Sequence, residues 1–475
     1  MNTFASLIPL LIVVGGALLL LMLEAFIKRD KKDYLGYLSV LVLLACGFFV
    51  IRSWNQNLSF FDGKLLLDNV GLFFILILII ATALVILISL KYISLQNVNR
   101  GEFYPLLLLA LSGMMMMVTS SDLLIIFLGL EVLSISSYAL AGIKHDDPKS
   151  SEAAVKYFLL GSFASAFIVF GLAFLYGSVQ GTDIGSVIAG LSVSSSSLLT
   201  VVGLCFIVIG FGFKIAVVPF HMWTPDVYEG SPTPVTAFFS VGPKAVGFAV
   251  LLRIFLPYWQ SAVDSAVMHN ILWVIAVLTM VVGNLIALRQ TNVKRILAYS
   301  SIAHAGYLLV AILARDGSSL LYYLTVYMFM NIGAFAAIIA LSKKGKEYLE
   351  LEDFSGIGFK YPWIGATFAV FLVSLAGFPP TGGFLAKFYI FSAAMREGMI
   401  PLVIIAVLAS LISVYYYLRI IIYMYMKPAD RVVDIDVENP SLFFVLFLCL
   451  YGVLQLGIYP GNVLIFIKQA IASLL

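Results

Sequence analysis

What limits this chain most is a series of long apolar stretches that recur along its whole length. They fall at about 4–27, 34–54, 69–93, 103–119, 121–143, 153–177, 198–222, 234–257, 270–288, 293–314, 319–342, 361–392, 400–426 and 441–467. A helix needs about 20 apolar residues to cross a bilayer. The 475 residues are 62% hydrophobic and 11% charged, with a mean hydropathy of +1.06, too little polar surface to enclose such segments in water. In lipid every backbone N–H and C=O must be satisfied by protein, and these stretches are too long and too evenly apolar for barrel strands. The sequence predicts an all-α polytopic membrane protein with about fourteen transmembrane helices. Residues 4–27, with no basic segment before them, read as the first span and not as a cleaved leader.

Several functions drop out early. A net charge of +3 leaves no polybasic face for nucleic acid. Cys46, Cys205 and Cys449 stand singly in apolar stretches without a Cys-x-x-Cys spacing, so they read as buried inert thiols. No G-x-G-x-x-G fingerprint stands before a helix. No cofactor or metal is expected in this chain.

Lysine and arginine in short loops set orientation. With the N-terminus outside, the inner loops carry Lys28, Arg29, Lys31, Lys32, Lys91, Arg100, Lys144, Lys149, Arg289, Lys294, Arg295, Lys343, Lys344, Lys346, Lys360, Lys427 and Arg431, 17 in all. The outer segments carry 5: Arg52, Lys64, Arg315, Arg396 and Lys468. Both termini are therefore expected on the periplasmic side. Asp62-Gly63 between short apolar runs predicts a hairpin over 58–67. The Gly- and Ser-rich stretch 177–197 predicts a polar connector.

Six basic residues remain inside the spans: Lys156, Lys214, Lys244, Arg253, Lys387 and Arg419. Arg253 and Arg419 lie toward span ends, where snorkelling to an interface accounts for them. The four lysines and Glu131 lie deeper. Each charge at membrane depth costs about 2.5–3.5 kcal/mol, so five unpaired would cost about 15 kcal/mol. They must pair, be hydrated or be neutralised. Glu131 and Lys156, on consecutive spans, can pair. Lys214, Lys244 and Lys387 have no evident acidic partner. An ammonium stripped of water holds its proton less firmly and suits a proton carrier. The other reading is a fixed cation held by backbone carbonyls at a broken helix.

Helix breakers stand beside two of these lysines. Lys214 precedes Val217-Val218-Pro219, and Lys387 follows Gly377-Phe378-Pro379-Pro380-Thr381-Gly382-Gly383. Broken helices at membrane depth are tolerated where they line a cavity, and paired breaks in two halves mark the ion site of repeat-built transporters. Spans four to eight align with spans nine to thirteen, the eighth and thirteenth both ending in Leu-Arg-Ile (252–254 and 418–420). Five spans per unit makes the two units inverted repeats. The expected division is a three-helix segment 1–100, repeats 101–260 and 265–430, and a last span in 431–475. His304, in the tenth span, fits either a proton shuttle or a packing histidine. His221, at the end of the seventh, is a candidate for taking up or releasing protons.

The run Phe213 to Val235, centred on Pro219-Phe220-His221-Met222-Trp223-Thr224-Pro225-Asp226-Val227-Tyr228-Glu229-Gly230, resembles the signature of the antiporter-like subunits of respiratory complex I. The Thr-Pro-Asp-Val-Tyr-Glu-Gly form is similar to the N branch of that family. Asn292-Val293-Lys294-Arg295-Ile296-Leu297-Ala298-Tyr299-Ser300-Ser301-Ile302-Ala303-His304 and Ala376 to Phe384 are similar to the same family. About eight residues follow the last apolar stretch, whereas subunit L carries a long lateral helix there. The terminal residue Lys387 fits N and L, since subunit M has glutamate there.

The resemblance implies a proton-translocating subunit of NADH:quinone oxidoreductase in a bacterial inner membrane, beside subunits M and K. NADH, FMN, iron–sulfur clusters and quinone would belong to other subunits. Glu131 and Lys156 would be the family's charge pair. Lys214, Lys244, His304 and Lys387 would carry protons from the inside outward. Moving one charge against 100 mV needs about 2.3 kcal/mol, and a hundredfold change in a lysine's proton affinity supplies about 2.7 kcal/mol. A subunit of a multisubunit cation/proton antiporter is the main alternative. Against it, a sodium site would need carboxylates, and the sequence shows Glu131 and no second acidic residue deep in a broken helix.

Overall fold

The computed structural model describes residues 7–27, 32–96, 98, 100–193, 198–261, 266–428 and 439–474. Lys28, Arg29, Lys31 and Arg431, counted above for orientation, lie outside these. The first segment has α1 (Ile8–Phe26), α2 (Asp33–Arg52), a hairpin of β1 (Leu58–Phe60) and β2 (Leu65–Leu67), and α3 (Asn69–Leu95). Leu58 faces Leu67 and Phe60 faces Leu65, and Phe61, Asp62 and Gly63 all take positive φ in the turn, as the Asp-Gly signal predicts.

The middle of the chain folds as α4 (Phe103–Thr119), α5 (Leu123–Ala141), α6 (Pro148–Val179), α7 (Ile184–Val193), α8 (Leu198–Ile215), α9 (Trp223–Gly230) and α10 (Thr233–Ser261). Then come α11 (Ala266–Ala287), α12 (Val293–Leu313), α13 (Gly317–Ala340), α14 (Ile357–Lys360), α15 (Pro362–Ala376), α16 (Gly382–Arg396) and α17 (Ile400–Met426). The chain closes with α18 (Pro440–Ile458) and α19 (Gly461–Ala472). Twelve of these helices are long and apolar enough to cross a membrane; α4, α15 and α19 are apolar but shorter. Polar caps start several: Asp122 accepts from the Leu124 and Ile125 N–H, and Asn292 from that of Arg295.

Three expected spans are interrupted. The stretch 198–222 ends as helix at Ile215, 361–392 divides at 377–381, and 441–467 divides at Pro460. Gly377, at φ 92°, closes α15 in the left-handed conformation that glycine allows. Both internal breaks contain a cis proline bond, Val218–Pro219 and Pro379–Pro380. The connector 177–197 is a correction: it holds α7, tied to the start of α5 by Leu123 N–H to Thr182 O at 2.8 Å. The polar residue before this helix is a cap and not a connector: Asp183 accepts from Ser186 N–H at 2.7 Å.

The helices form a centre and a rim. α10, α12 and α13 are buried along almost their whole length and α3 along most of it, while α1, α2 and α6 leave most of their residues at the surface. That surface is apolar, with Leu19, Phe26, Leu44, Phe163 and Phe170 more than half exposed. So wide an apolar face is stable against lipid and not against water. The centre is where a polar side chain meets protein groups able to satisfy it.

Candidate functional site

Lys214, Lys244, His304 and Lys387 are all buried, at 1–5% exposure. Lys214 is one residue from the end of α8. Its ammonium donates to Ser134 Oγ at 3.0 Å and approaches the Tyr157 hydroxyl at 3.5 Å. Ser134 is one turn along α5 from Glu131, and Glu131 is the carboxylate whose charge acts on Lys214. Lys214 also lies 5.4 Å from the centre of the Tyr157 ring, which stacks on Trp223 at 4.5 Å.

The expected pair of Glu131 and Lys156 is corrected here. Glu131 accepts a hydrogen bond from Ser165, on the same helix as Lys156 but nine residues further on. Nine residues of α-helix rise about 13 Å, beyond the span of an ion pair. Lys156 is instead 40% exposed and bridges Glu152 and Asp226 at 2.6 Å each. It belongs to a surface lattice. Arg295 donates to Asp226 and Glu229 at 2.9 Å, and Lys149 to Glu229 at 2.7 Å. Burial acts to raise both carboxyls, but hydrogen bonds from Lys156 and Arg295 to Asp226, and from Lys149 and Arg295 to Glu229, hold them below the usual range.

Lys244 follows Pro243 inside α10. Its ammonium donates to the Ser301 carbonyl at 2.6 Å and to Ser301 Oγ at 2.8 Å. His304 is one turn further along α12. Its Nδ1 lies 2.6 Å from the Tyr323 hydroxyl and its Nε2 3.2 Å from that of Tyr417, which also meets Ser300 Oγ. One turn on again, the Tyr307 ring lies 5.2 Å from the Lys387 ammonium. Lys387 donates to the Leu375 and Ala376 carbonyls at 3.0 and 2.9 Å and to Ser410 Oγ at 2.9 Å. Those carbonyls end α15, where the helix dipole favours a cation. Thus α12 places Ser301, His304 and Tyr307 in line between Lys244 and Lys387. Lys214 and Lys244 share no hydrogen-bond partner among the described residues.

The two lysines beside breaks are held differently. Lys387 reaches back to its own break, whereas Lys214 turns away from it toward α5 and α6. His221 lies in the first break, half-buried, with its imidazole beside the Pro219 backbone. Arg253 is not a snorkelling residue: it is 4% exposed and grips Asp68 with both Nη atoms, at 2.8 and 2.6 Å, and the Val118 carbonyl with Nε at 3.0 Å. Arg419 meets the Leu288 and Gln290 carbonyls just past the end of α11. The sequence reading missed the hydroxyl partners Ser134, Tyr157, Tyr323, Tyr417 and Ser410. Their signal is a Ser or Tyr inside an otherwise apolar span. Among the described residues no three His, Cys, Asp or Glu side chains gather as a metal cradle.

The sequence pattern described as NADH:quinone oxidoreductase/Mrp antiporter, TM, matches residues 120–413. The NADH-quinone oxidoreductase subunit N of Trichlorobacter lovleyi is 47% identical, covering 97% of this chain and 95% of that protein. The NADH-quinone oxidoreductase subunit N 1 of Solibacter usitatus is 41% identical, covering 98% and 97%. A chain of respiratory complex I from Thermus thermophilus with bound aureothin has a TM-score of 0.83 at 33% identity, covering 96% of this chain and 98% of that one. A match of this length, carried by the region that holds Lys214, Lys244, His304 and Lys387, settles the kinship: the chain belongs to the NADH:quinone oxidoreductase/Mrp antiporter family of membrane subunits, in its subunit N branch.

Proposed function

We propose that this chain is the proton-translocating N subunit of NADH:quinone oxidoreductase. The observation that carries the reading is the line of buried groups Lys244, Ser301, His304, Tyr307 and Lys387 at the centre of the bundle, with Lys214 and Glu131 to one side. A buried lysine without a carboxylate partner is costly, and ionisable groups kept at membrane depth despite that cost mark ion and proton paths. Serine and tyrosine hydroxyls both donate and accept, so they pass a proton between fixed bases.

In this reading a change of charge near Glu131, set by redox chemistry in other subunits, alters how firmly Lys214 holds its proton. The proton moves toward Lys244, along α12 past His304 to Lys387, and leaves on the outer side. His221 is a group for uptake or release, and Lys156 is outside the relay. The inner-loop excess of Lys and Arg supports termini on the periplasmic side of a bacterial inner membrane. The two broken segments support inverted repeats over 101–260 and 265–430, within about fourteen crossings. Neighbouring partners would be subunits M and K, and NADH, FMN, iron–sulfur clusters and quinone would bind elsewhere in the complex.

Gentle solubilisation with a C-terminal tag tests this. NADH:quinone activity and iron–sulfur signals should travel with the tag. Purification with other antiporter subunits and no redox centre would replace the proposal with the cation/proton antiporter reading.

A further inference from the structure

Lys294 was expected in an inner loop. It is instead wholly buried in the first turn of α12, donating to the Ser231 carbonyl at 2.7 Å. Its one close carboxylate among the described residues is Glu347, with Oε2 at 3.8 Å. The Glu347 side chain is 18% exposed, so it has water on one side and a buried ammonium on the other. Its other oxygen accepts from the Tyr92 hydroxyl at 2.8 Å and from Thr233 Oγ1. The remaining charges acting on Lys294 are Glu229, Lys144 and Asp147.

Seven residues along α12, about 10 Å on, Ser301 holds the Lys244 ammonium. The Ser231 hydroxyl is buried with no hydrogen-bond partner among the described residues, and the hydroxyls of Tyr228 and Tyr327 are buried beside Ser301. Buried polar groups left without a protein partner take water. The interval between Lys294 and Lys244 is thus lined by hydroxyls that both donate and accept, with that of Ser231 open to a bridging water.

We propose that Glu347 and Lys294 form a proton-uptake site that loads Lys244 from the end of the bundle where α3 ends and α12 begins. The proposal rests on the relay described above. When the Lys244 ammonium has given its proton to the relay, the Lys294 ammonium releases one through water past Ser231 and Tyr228 to the amine left on Lys244. The Lys294 amine then takes the proton that the Glu347 carboxylate has picked up from water. Each group is restored by the next proton from water, and no electron moves.

The test uses the whole complex in liposomes, reading protons pumped per NADH oxidised in wild type, Glu347→Ala, Glu347→Gln and Lys244→Met. Formate is the probe, because a small weak acid can occupy the space of a missing carboxylate and carry its proton. Glu347→Ala should lower the ratio about twofold or more, and formate should restore it while leaving wild type unchanged. Glu347→Gln keeps an acceptor for Tyr92 and Thr233 and should lower the ratio equally, which guards against an alanine variant that fails to assemble. An unchanged ratio in either variant, or a loss in Glu347→Ala that formate does not repair, would overturn the proposal and leave a structural clamp. If Lys244→Met pumps fully, the relay itself fails; if it does not pump while Glu347→Ala does, only the uptake site fails.

Discussion

Two lysines on apolar helices illustrate how little residue type says about role. Lys214 meets a serine, a tyrosine ring and the field of Glu131, all inside protein. Lys156 stands at the rim with two carboxylates and water. Exposed pairs of the second kind contribute about 0.2–1 kcal/mol. Lys156→Met should therefore leave NADH-driven pumping close to wild type. Glu131→Gln, which removes the charge acting on Lys214, should reduce pumping about tenfold. Proton uptake by vesicles, normalised to NADH oxidation, separates the two; a stronger loss in Lys156→Met would restore it to the relay.

At the scale of elements, the breaks do the positioning, and they depend on close backbone approach. A Cβ added to Gly383 would lie 1.8 Å from the Ser374 carbonyl, so α15 and α16 could not keep their spacing around Lys387. Gly383→Ala should destabilise the subunit by about 1–3 kcal/mol, read as a lower melting temperature in detergent together with lost pumping. Arg253 joins α10 to Asp68, the cap of α3. Arg253→Met strands a buried carboxylate at a cost of about 3–5 kcal/mol. Adding Asp68→Leu should recover part of that loss, and a double mutant no more stable than the single would argue against the pair.

For the molecule as a whole, the lattice of Lys149, Lys156, Asp226, Glu229 and Arg295 ties α6, α9 and α12 together at one end. The carboxyls of Asp226 and Glu229 are held below their ordinary range by their cationic partners. Groups lowered in the folded state add stability above the unfolded pKa, about 4 for a carboxyl, and lose it as pH falls through the folded value. Thermal unfolding in detergent should therefore be flat through neutral pH and fall below about pH 4. The Asp226→Asn/Glu229→Gln variant should start lower and fall less steeply; an identical acid limb in both would remove these two carboxyls as its cause.

Composition and motif were enough for an all-helical membrane protein, the hairpin at Asp62-Gly63, both breaks near Lys214 and Lys387, the burial of those lysines with Lys244 and His304, and the family. Each rests on a local rule: backbone satisfaction in lipid, turn chemistry, proline's missing donor, or a long signature. Which way a helix faces did not follow, because lipid-facing and protein-facing positions are both apolar and the amphipathic period that orients a helix in water is weak here. Hence the partner of Glu131, the exposure of Lys156, the burial of Lys294 and the grip of Arg253 on Asp68 were decided only by tertiary packing, which sets whether a charge on an apolar helix meets water, lipid or another charge.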